Sequence, residues 1–100
     1  MKNKVEPMSR HVIRIIGFAN GTPCPYAEKF VKAMNFDAHD GRGHLETTPD
    51  IAKAKKFPNF ASALRFWKTQ SSAKPWRPDG KPNRPLTATD VWIEPEPMEK

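Results

Sequence analysis

The sequence has few cysteines, no long apolar run and almost no acidic residues in one long segment. Among its 100 residues Cys24 is the single cysteine, so no internal disulfide can form. Small secreted domains usually carry several disulfides, and residues 1–10 lack the apolar region of a signal peptide. No apolar run approaches the roughly 18 residues that predict a membrane span. We therefore expect a cytoplasmic protein without a membrane partner.

Hydrophobic residues are also scarce, at 37% of the chain, whereas proline is frequent, with 11 residues. A chain of this length builds at most one compact domain with a modest core. We predict a flexible arm over residues 1–10, a single domain over residues 11–94 and a disordered acidic tail over residues 95–100.

Acidic residues are nearly absent between Ile51 and Pro85. The whole chain has a net charge of +6, and this segment contains one acid, Asp79. Its nine basic residues are Lys53, Lys55, Lys56, Arg65, Lys68, Lys74, Arg77, Lys81 and Arg84. Positive charge concentrated in this way indicates either an anionic partner or a solvated face that binds nothing.

Hydrophobic periodicity predicts strands in the first half. Residues 11–18 are rich in β-branched side chains and predict a first strand. Residues 26–36 fit either a helix or a strand, and we favour a strand over residues 29–36. A polar turn over residues 37–43 and a short strand over residues 44–47 would close a hairpin.

The second half predicts helices and then an irregular segment. A helix start at Thr48, with Pro49 and Asp50 after it, predicts a short helix over residues 51–57. Asn59 is expected to cap the main helix, residues 60–70. The apolar stripe of that helix comprises Phe60, Ala63, Leu64 and Trp67.

Four prolines between residues 74 and 85 exclude a helix there, and we predict an extended segment with a Pro-Asp-Gly turn. Residues 86–93 predict the last strand. The fold expected from these elements is α+β: a three- or four-stranded, largely antiparallel sheet with one main helix packed on a face.

The strongest functional signal is the alternation of basic and aromatic residues after Trp67. Lysine and arginine neutralise phosphates, and an exposed tryptophan offers a stacking face for a base. The candidate binding residues are Lys68, Lys74, Trp76, Arg77, Lys81 and Arg84. We predict a non-catalytic protein that binds nucleic acid or a nucleoprotein through them. The alternatives are a solvated basic face and, for residues 74–85, an ordered segment that covers a sheet edge.

Evidence for chemistry is weaker. Asp37, His39, Asp40 and His44 could ligate a divalent metal, but their spacing matches no established zinc or calcium pattern. We favour a solvated turn in which Asp37 or Asp40 accepts amide hydrogen bonds. Cys24 is more typical of a half-buried thiol than of a nucleophile. We expect neither an enzyme nor a cofactor.

Several segments together resemble small uncharacterised proteins encoded by phages and prophages. They are residues 17–21, 36–43, 48–57, 66–67 and 77–86, and the resemblance covers about residues 12–94. The resemblance implies a phage-type binding protein in a bacterial host cell. The alternative function that it implies is inhibition of a host or bacterial-defence complex, as in anti-CRISPR proteins. The net positive charge argues against simple DNA mimicry. The resemblance also predicts a glycine within residues 26–29, where this sequence has none.

Overall fold

The computed structural model describes residues 10–96, which form one sheet with a helix on one face. The strands are β1 (His11–Phe18), β2 (Phe30–Asn35), β3 (His44–Thr48) and β4 (Thr89–Pro95). The helical segments are α1 (Ala38–Gly41), α2 (Phe60–Trp67) and the 3₁₀ turns Ile51–Lys53 and Pro85–Ala88. The strand order is β3-β2-β1-β4, with every pairing antiparallel. The predicted α+β class is confirmed.

The central strand β1 contributes most of the core. Val12, Ile13 and Ile15 are fully buried, because β-branched side chains pack closely on a pleated surface. Ile13 and Ile15 lie in one cluster with Val31 of β2 and Ala63 of α2. The core therefore lies between the sheet and α2.

The strand that we favoured over residues 29–36 is present as β2, Phe30–Asn35. β2 pairs with β3 along its whole length, with one irregularity between Val31 and Ala33. Just before β2, Glu28 has a φ of 68°, in the region where the resemblance predicted a glycine. The Glu28 amide donates to the Ile15 carbonyl at 2.8 Å. Pairing with the sheet therefore holds a non-glycine residue in a conformation that is otherwise unfavourable.

Helix α2 begins where the sequence predicts. The Asn59 side chain accepts a hydrogen bond from the Ser62 amide at 2.8 Å, which satisfies one of the unpaired donors of the first turn. Ala63 is buried, and Trp67 packs against the core. The predicted stripe is wrong at Phe60, whose side chain is 51% exposed.

The same helix ends at Trp67, three residues before the predicted end at residue 70. Lys68 leaves the helical conformation, with a φ of −90° and a ψ of 6°. The Thr69 hydroxyl donates to the Arg65 carbonyl at 3.1 Å. A side chain therefore satisfies an acceptor that a further turn of helix would have used.

The predicted helix over residues 51–57 is wrong beyond its first turn. The Lys56 ammonium donates to the carbonyls of Ile51, Ala52 and Ala54 at 2.7, 3.1 and 3.0 Å, so it replaces the amide donors of a helix. Phe57 exchanges two backbone hydrogen bonds of 2.8 Å with His11 of β1. Long-range pairing with the sheet therefore overrides the helix signal.

The predicted strand over residues 86–93 is correct only from Thr89 onwards. Pro85 begins a 3₁₀ turn, where its missing amide donor is not needed. Leu86 is buried, and its carbonyl accepts from the Thr89 hydroxyl at 2.7 Å. Within β4, Val91 and Ile93 pack against the core.

The predicted arm and tail lie mostly outside the described residues, which exclude 1–9 and 97–100. The structure describes Arg10, Pro95 and Glu96 of these segments, and Pro95 is the last residue of β4. The Glu96 carboxylate lies 2.9 Å from the Arg10 guanidinium and 3.6 Å from the Lys56 ammonium.

Candidate functional site

Residues 71–83, which we call the strap, have little regular structure but are attached firmly to the turn that follows β2. The Asp37 carboxylate accepts hydrogen bonds from the Ser71 hydroxyl at 2.9 Å and from the amides of Ser72 and Ala73 at 2.7 and 3.0 Å. The Ala73 amide, followed by the Ser71 hydroxyl and the Ser72 amide, lowers the pKa of Asp37. These donors favour the charged form of the carboxyl group.

A second attachment joins the strap to Gly41. The Asn83 side-chain amide donates to the carbonyls of Gly41 at 2.7 Å and of Lys74 at 2.9 Å. Gly41 is buried and has a φ of 85°. A Cβ atom at Gly41 would lie 2.6 Å from the Cβ of Lys74. The strap can approach the turn this closely only because residue 41 has no side chain.

The turn itself has an unusual backbone. Between Ala38 and Gly41, His39 and Asp40 both have left-handed conformations, with φ of 54° and 58°. Gly41 and Gly43 also have positive φ, which glycine adopts without steric cost. The turn directs the residue between them, Arg42, toward the strap, since Arg42 lines the same cavities as the strap residues.

The tip of the strap is a small hairpin. Trp76 forms a β-bridge with Pro82, and the Arg77 amide donates to the Lys81 carbonyl at 2.8 Å. Asp79 closes the turn, because its carboxylate accepts from the Lys81 amide at 3.0 Å and from the Arg77 guanidinium at 3.0 Å. The predicted Pro-Asp-Gly turn is confirmed. Hydrogen bonds therefore hold the backbone of the strap tip in place, although the tip has only one β-bridge.

Two adjoining cavities lie between the strap and the turn. The larger has a volume of about 460 Å³ and is lined by His39, Asp40, Gly41, Arg42, Lys74, Trp76, Arg77, Pro78 and Asn83. The smaller, of about 280 Å³, is lined by Arg42, Arg77, Asn83, Arg84, Pro85, Thr87 and Ala88. Because Arg42, Arg77 and Asn83 line both, the two cavities adjoin each other, and we call them together the basic cleft.

The charges of the basic cleft are unequally compensated. The Lys74 ammonium lies 3.6 Å from the Asp40 carboxylate, and the Arg77 guanidinium lies 3.0 Å from that of Asp79. The amide of Lys81 and the charge of Arg77 hold the pKa of Asp79 below its ordinary value. Within residues 10–96, Arg42 and Arg84 form no ion pair. These two arginines are therefore the charges most available to an anion.

Trp76 is 58% exposed, so the segment does not pack this side chain down on the sheet. The indole lies at the wall of the larger cavity beside Lys74 and Arg77. Trp67, in contrast, packs against the core as predicted. Trp76 therefore supplies the exposed aromatic face that the polyanion hypothesis requires.

The structure brings together four of the six predicted binding residues. Lys74, Trp76 and Arg77 line the larger cavity, and Arg77 and Arg84 line the smaller one. The two others, Lys68 at the end of α2 and Lys81 in the strap tip, are exposed but line neither cavity.

Sequence reasoning missed Arg42, which lines both cavities. This arginine lies 29 positions before Ser71, the first residue of the strap, and the contacts of Asp37 and Gly41 with the strap bring it there. The available signal was an arginine between two glycines, Gly41 and Gly43, which indicates an exposed side chain on a tight turn.

The metal candidates are not assembled around one point. The imidazole rings of His39 and His44 lie 5.9 Å apart between centroids, but the Asp37 carboxylate is occupied by the strap. Asp40 lies near Lys74. Among the residues that the structure describes, no group of three or more His, Cys, Asp or Glu side chains could hold a metal ion. The alternative interpretation, in which Asp37 accepts amide hydrogen bonds, is supported. The donating amides are those of Ser72 and Ala73 in the strap.

Comparisons of this chain with family models, with curated proteins and with solved structures found no match. Over residues 10–96, no helix has the length and apolar character needed to cross a membrane. Hypotheses about function therefore depend on the basic cleft and the surfaces around it.

Proposed function

We propose that this protein is a small non-catalytic binding protein of the phage type, whose basic cleft binds a polyanionic partner, either nucleic acid or a nucleoprotein complex. The observation that carries the proposal is the exposed Trp76 at the wall of a cleft lined by Arg42, Lys74, Arg77 and Arg84. Guanidinium groups form bidentate, charge-assisted hydrogen bonds with phosphates, and an indole face stacks on a base.

The attachment of the strap also supports binding. The Asp37 carboxylate and the Asn83 amide hold the strap backbone before any partner arrives. A surface that is ordered in advance loses little conformational entropy when a ligand binds. A solvated basic face would need no such arrangement, because its lysines would keep the protein soluble equally well on a mobile loop.

The test is a titration of the full chain with short DNA and RNA at several salt concentrations. Four phosphate contacts predict a log–log salt slope between about −2.8 and −3.6. The double variant R42A/R84A should weaken binding and reduce the slope by about 1.4 to 1.8. The control K53A/R65A removes the same charge at two exposed positions outside the cleft. Equal losses in the two double variants would indicate nonspecific attraction and contradict the proposal.

A second candidate is an inhibitor that binds a host or bacterial-defence protein. It is favoured by Trp92, which is 62% exposed, and by Ile16, which is 38% exposed. Trp92 alternates with Val91 and Ile93, which pack against the core, so it lies on the face of the sheet opposite α2. Ile16 lies at the irregularity of β1 between Ile15 and Gly17. Exposed apolar patches often mark protein interfaces. A partner retained from nuclease-treated lysate by the unaltered chain and W76A, but lost with W92A, would favour this candidate.

A further inference from the structure

The two halves of the basic cleft differ in chemistry, and the difference indicates how a ligand lies in it. The larger half contains the exposed Trp76 and one carboxylate, that of Asp40, which partly compensates the charges of Arg42, Lys74 and Arg77. The smaller half is lined by Arg42, Arg77 and Arg84, without an acidic residue in its wall. A phosphate is therefore favoured in the smaller half, and an aromatic, hydrogen-bonding group is favoured in the larger half.

We infer that the basic cleft binds single-stranded nucleic acid, with an unpaired base on the Trp76 indole and a neighbouring phosphate between Arg42 and Arg84. This inference rests on the proposed function, since it specifies which nucleic acid the cleft binds. In a duplex the faces of each base are covered by its neighbours, so only an unpaired base offers its face to an indole.

The position of the arginines supports the phosphate site. Arg77 lines both halves, but its guanidinium is held by Asp79 at 3.0 Å. Arg42 and Arg84 come from two separate segments, the turn after β2 and the residue that follows the strap, and both line the smaller cavity. Two guanidinium groups in the wall of one cavity can contact the same phosphate.

The larger half suits a base better than a second phosphate. The Asp40 carboxylate would repel a phosphate but can accept a hydrogen bond from the amino group of a base. The Asn83 side-chain amide is already used by the Gly41 and Lys74 carbonyls, so it fixes the walls of the cavity. Its volume of about 460 Å³ falls within the usual range for small-ligand sites.

The fold gives no corresponding support for reading a duplex. Proteins usually enter the major groove with a helix or a two-stranded ribbon that carries the reading side chains. Helix α2 is the longest helix among residues 10–96, and its exposed basic residues, Arg65 and Lys68, lie outside the cleft. The cleft is built from a turn and a strap, and the hairpin at the tip of the strap has a single β-bridge, between Trp76 and Pro82. It is therefore much shorter than a ribbon that reads a groove.

The experiment compares a fluorescently labelled single strand of about ten nucleotides with its duplex and with a single strand that carries abasic sites. Stacking on an aromatic residue is worth about 5- to 150-fold in affinity for one base. We therefore expect W76A to weaken single-strand binding by that factor with little change in salt slope. W76A should not weaken duplex binding. W76F, which keeps an aromatic face, should restore most of the affinity.

The abasic strand provides the matching control. The unaltered protein should bind it about as weakly as W76A binds the intact strand, and W76A should lose no further affinity for it. R42A/R84A should instead reduce the single-strand salt slope by about 1.4, since each phosphate contact contributes about 0.7.

The outcomes distinguish the two proposals. Equal affinity for the strand and the duplex, with no effect of W76A, would overturn the single-strand inference while the polyanion proposal stands. Absence of binding to every probe at low salt would contradict the proposed function itself. Because Trp76 is exposed, W76A is expected to fold, and an unchanged melting temperature checks this.

Discussion

Three glycines share one backbone conformation but have different surroundings, so they form a matched set for testing how the strap is attached. The φ angles of Gly41, Gly21 and Gly80 are 85°, 82° and 86°. A Cβ at Gly41 would lie 2.6 Å from the Cβ of Lys74 and 2.9 Å from Nδ2 of Asn83. At Gly21 and Gly80, no atom of the described residues lies within 4 Å of such a Cβ.

The expected magnitudes follow from these contacts. Alanine in the left-handed region costs about 1–2 kcal/mol at each of the three positions, partly offset by the lower entropy of the unfolded chain. Only Gly41→Ala also overpacks, at about 1–3 kcal/mol. The Cβ of Lys74 is fixed to the backbone, so relief requires displacement of the strap. We therefore expect G41A to lower the free energy of unfolding by about 1–3 kcal/mol more than G80A or G21A.

Urea unfolding followed by tryptophan fluorescence measures this difference, and thermal unfolding should show an additional shift of about 4–8 °C for each kcal/mol. Equal losses in all three variants would refute the reasoning. That result would mean that the strap does not press on Gly41 in solution, and the two cavities could not then have the walls described above.

Two further changes test the ends of α2 and of the strap. Asn59→Ala should lower stability by about 1 kcal/mol, because the Ser62 amide loses its acceptor, whereas Asn59→Asp should retain it; an unchanged midpoint in urea for N59A would contradict the assigned cap. Asp37→Asn should destabilise the protein at pH 7, because the neutral side chain accepts weaker hydrogen bonds. Since the pKa of Asp37 is lowered in the fold, its contribution is complete above the ordinary carboxyl value of 3.8 and is lost as the pH falls through the lower folded pKa. The difference in melting temperature between D37N and the unaltered chain should therefore shrink below that pH, and a constant difference would count against the assignment.

The parts of the fold that sequence predicts correctly are those with local causes. Residues 11–18 form β1 because their own side chains favour an extended backbone, and Asn59 starts α2 because its cap needs only a residue three positions on. The wrong predictions involve distant partners. Residues 51–57 carry a valid helix start, but Phe57 pairs with His11, more than forty positions earlier. Local propensity cannot contain that information.

The same distinction applies to the basic cleft. The sequence predicts Lys74, Trp76, Arg77 and Arg84 because they follow one another in the strap and in the residue after it. It does not predict Arg42, because this arginine reaches the cleft through a contact between Asp37 and Ser71 that spans 34 positions. Lys68 was expected in the site from its proximity in sequence, but α2 ends before the strap begins, and the side chain lines neither cavity.

The charges in the sequence therefore do not show which arginines are available to an anion. In the sequence, Arg77 and Arg84 each contribute one positive charge. In the structure, the carboxylate of Asp79, two positions after Arg77, lies 3.0 Å from the Arg77 guanidinium and compensates its charge. An incoming phosphate must compete with that carboxylate at Arg77, whereas at Arg84 and Arg42 no described carboxylate has to be displaced. Because exposed ion pairs are weak, Arg77 can still rotate toward a ligand, but at a smaller net gain. Under the proposed function, we therefore expect Arg42 and Arg84 to contribute most to anion binding, and they are the two basic residues of the cleft that lie farthest apart in the sequence.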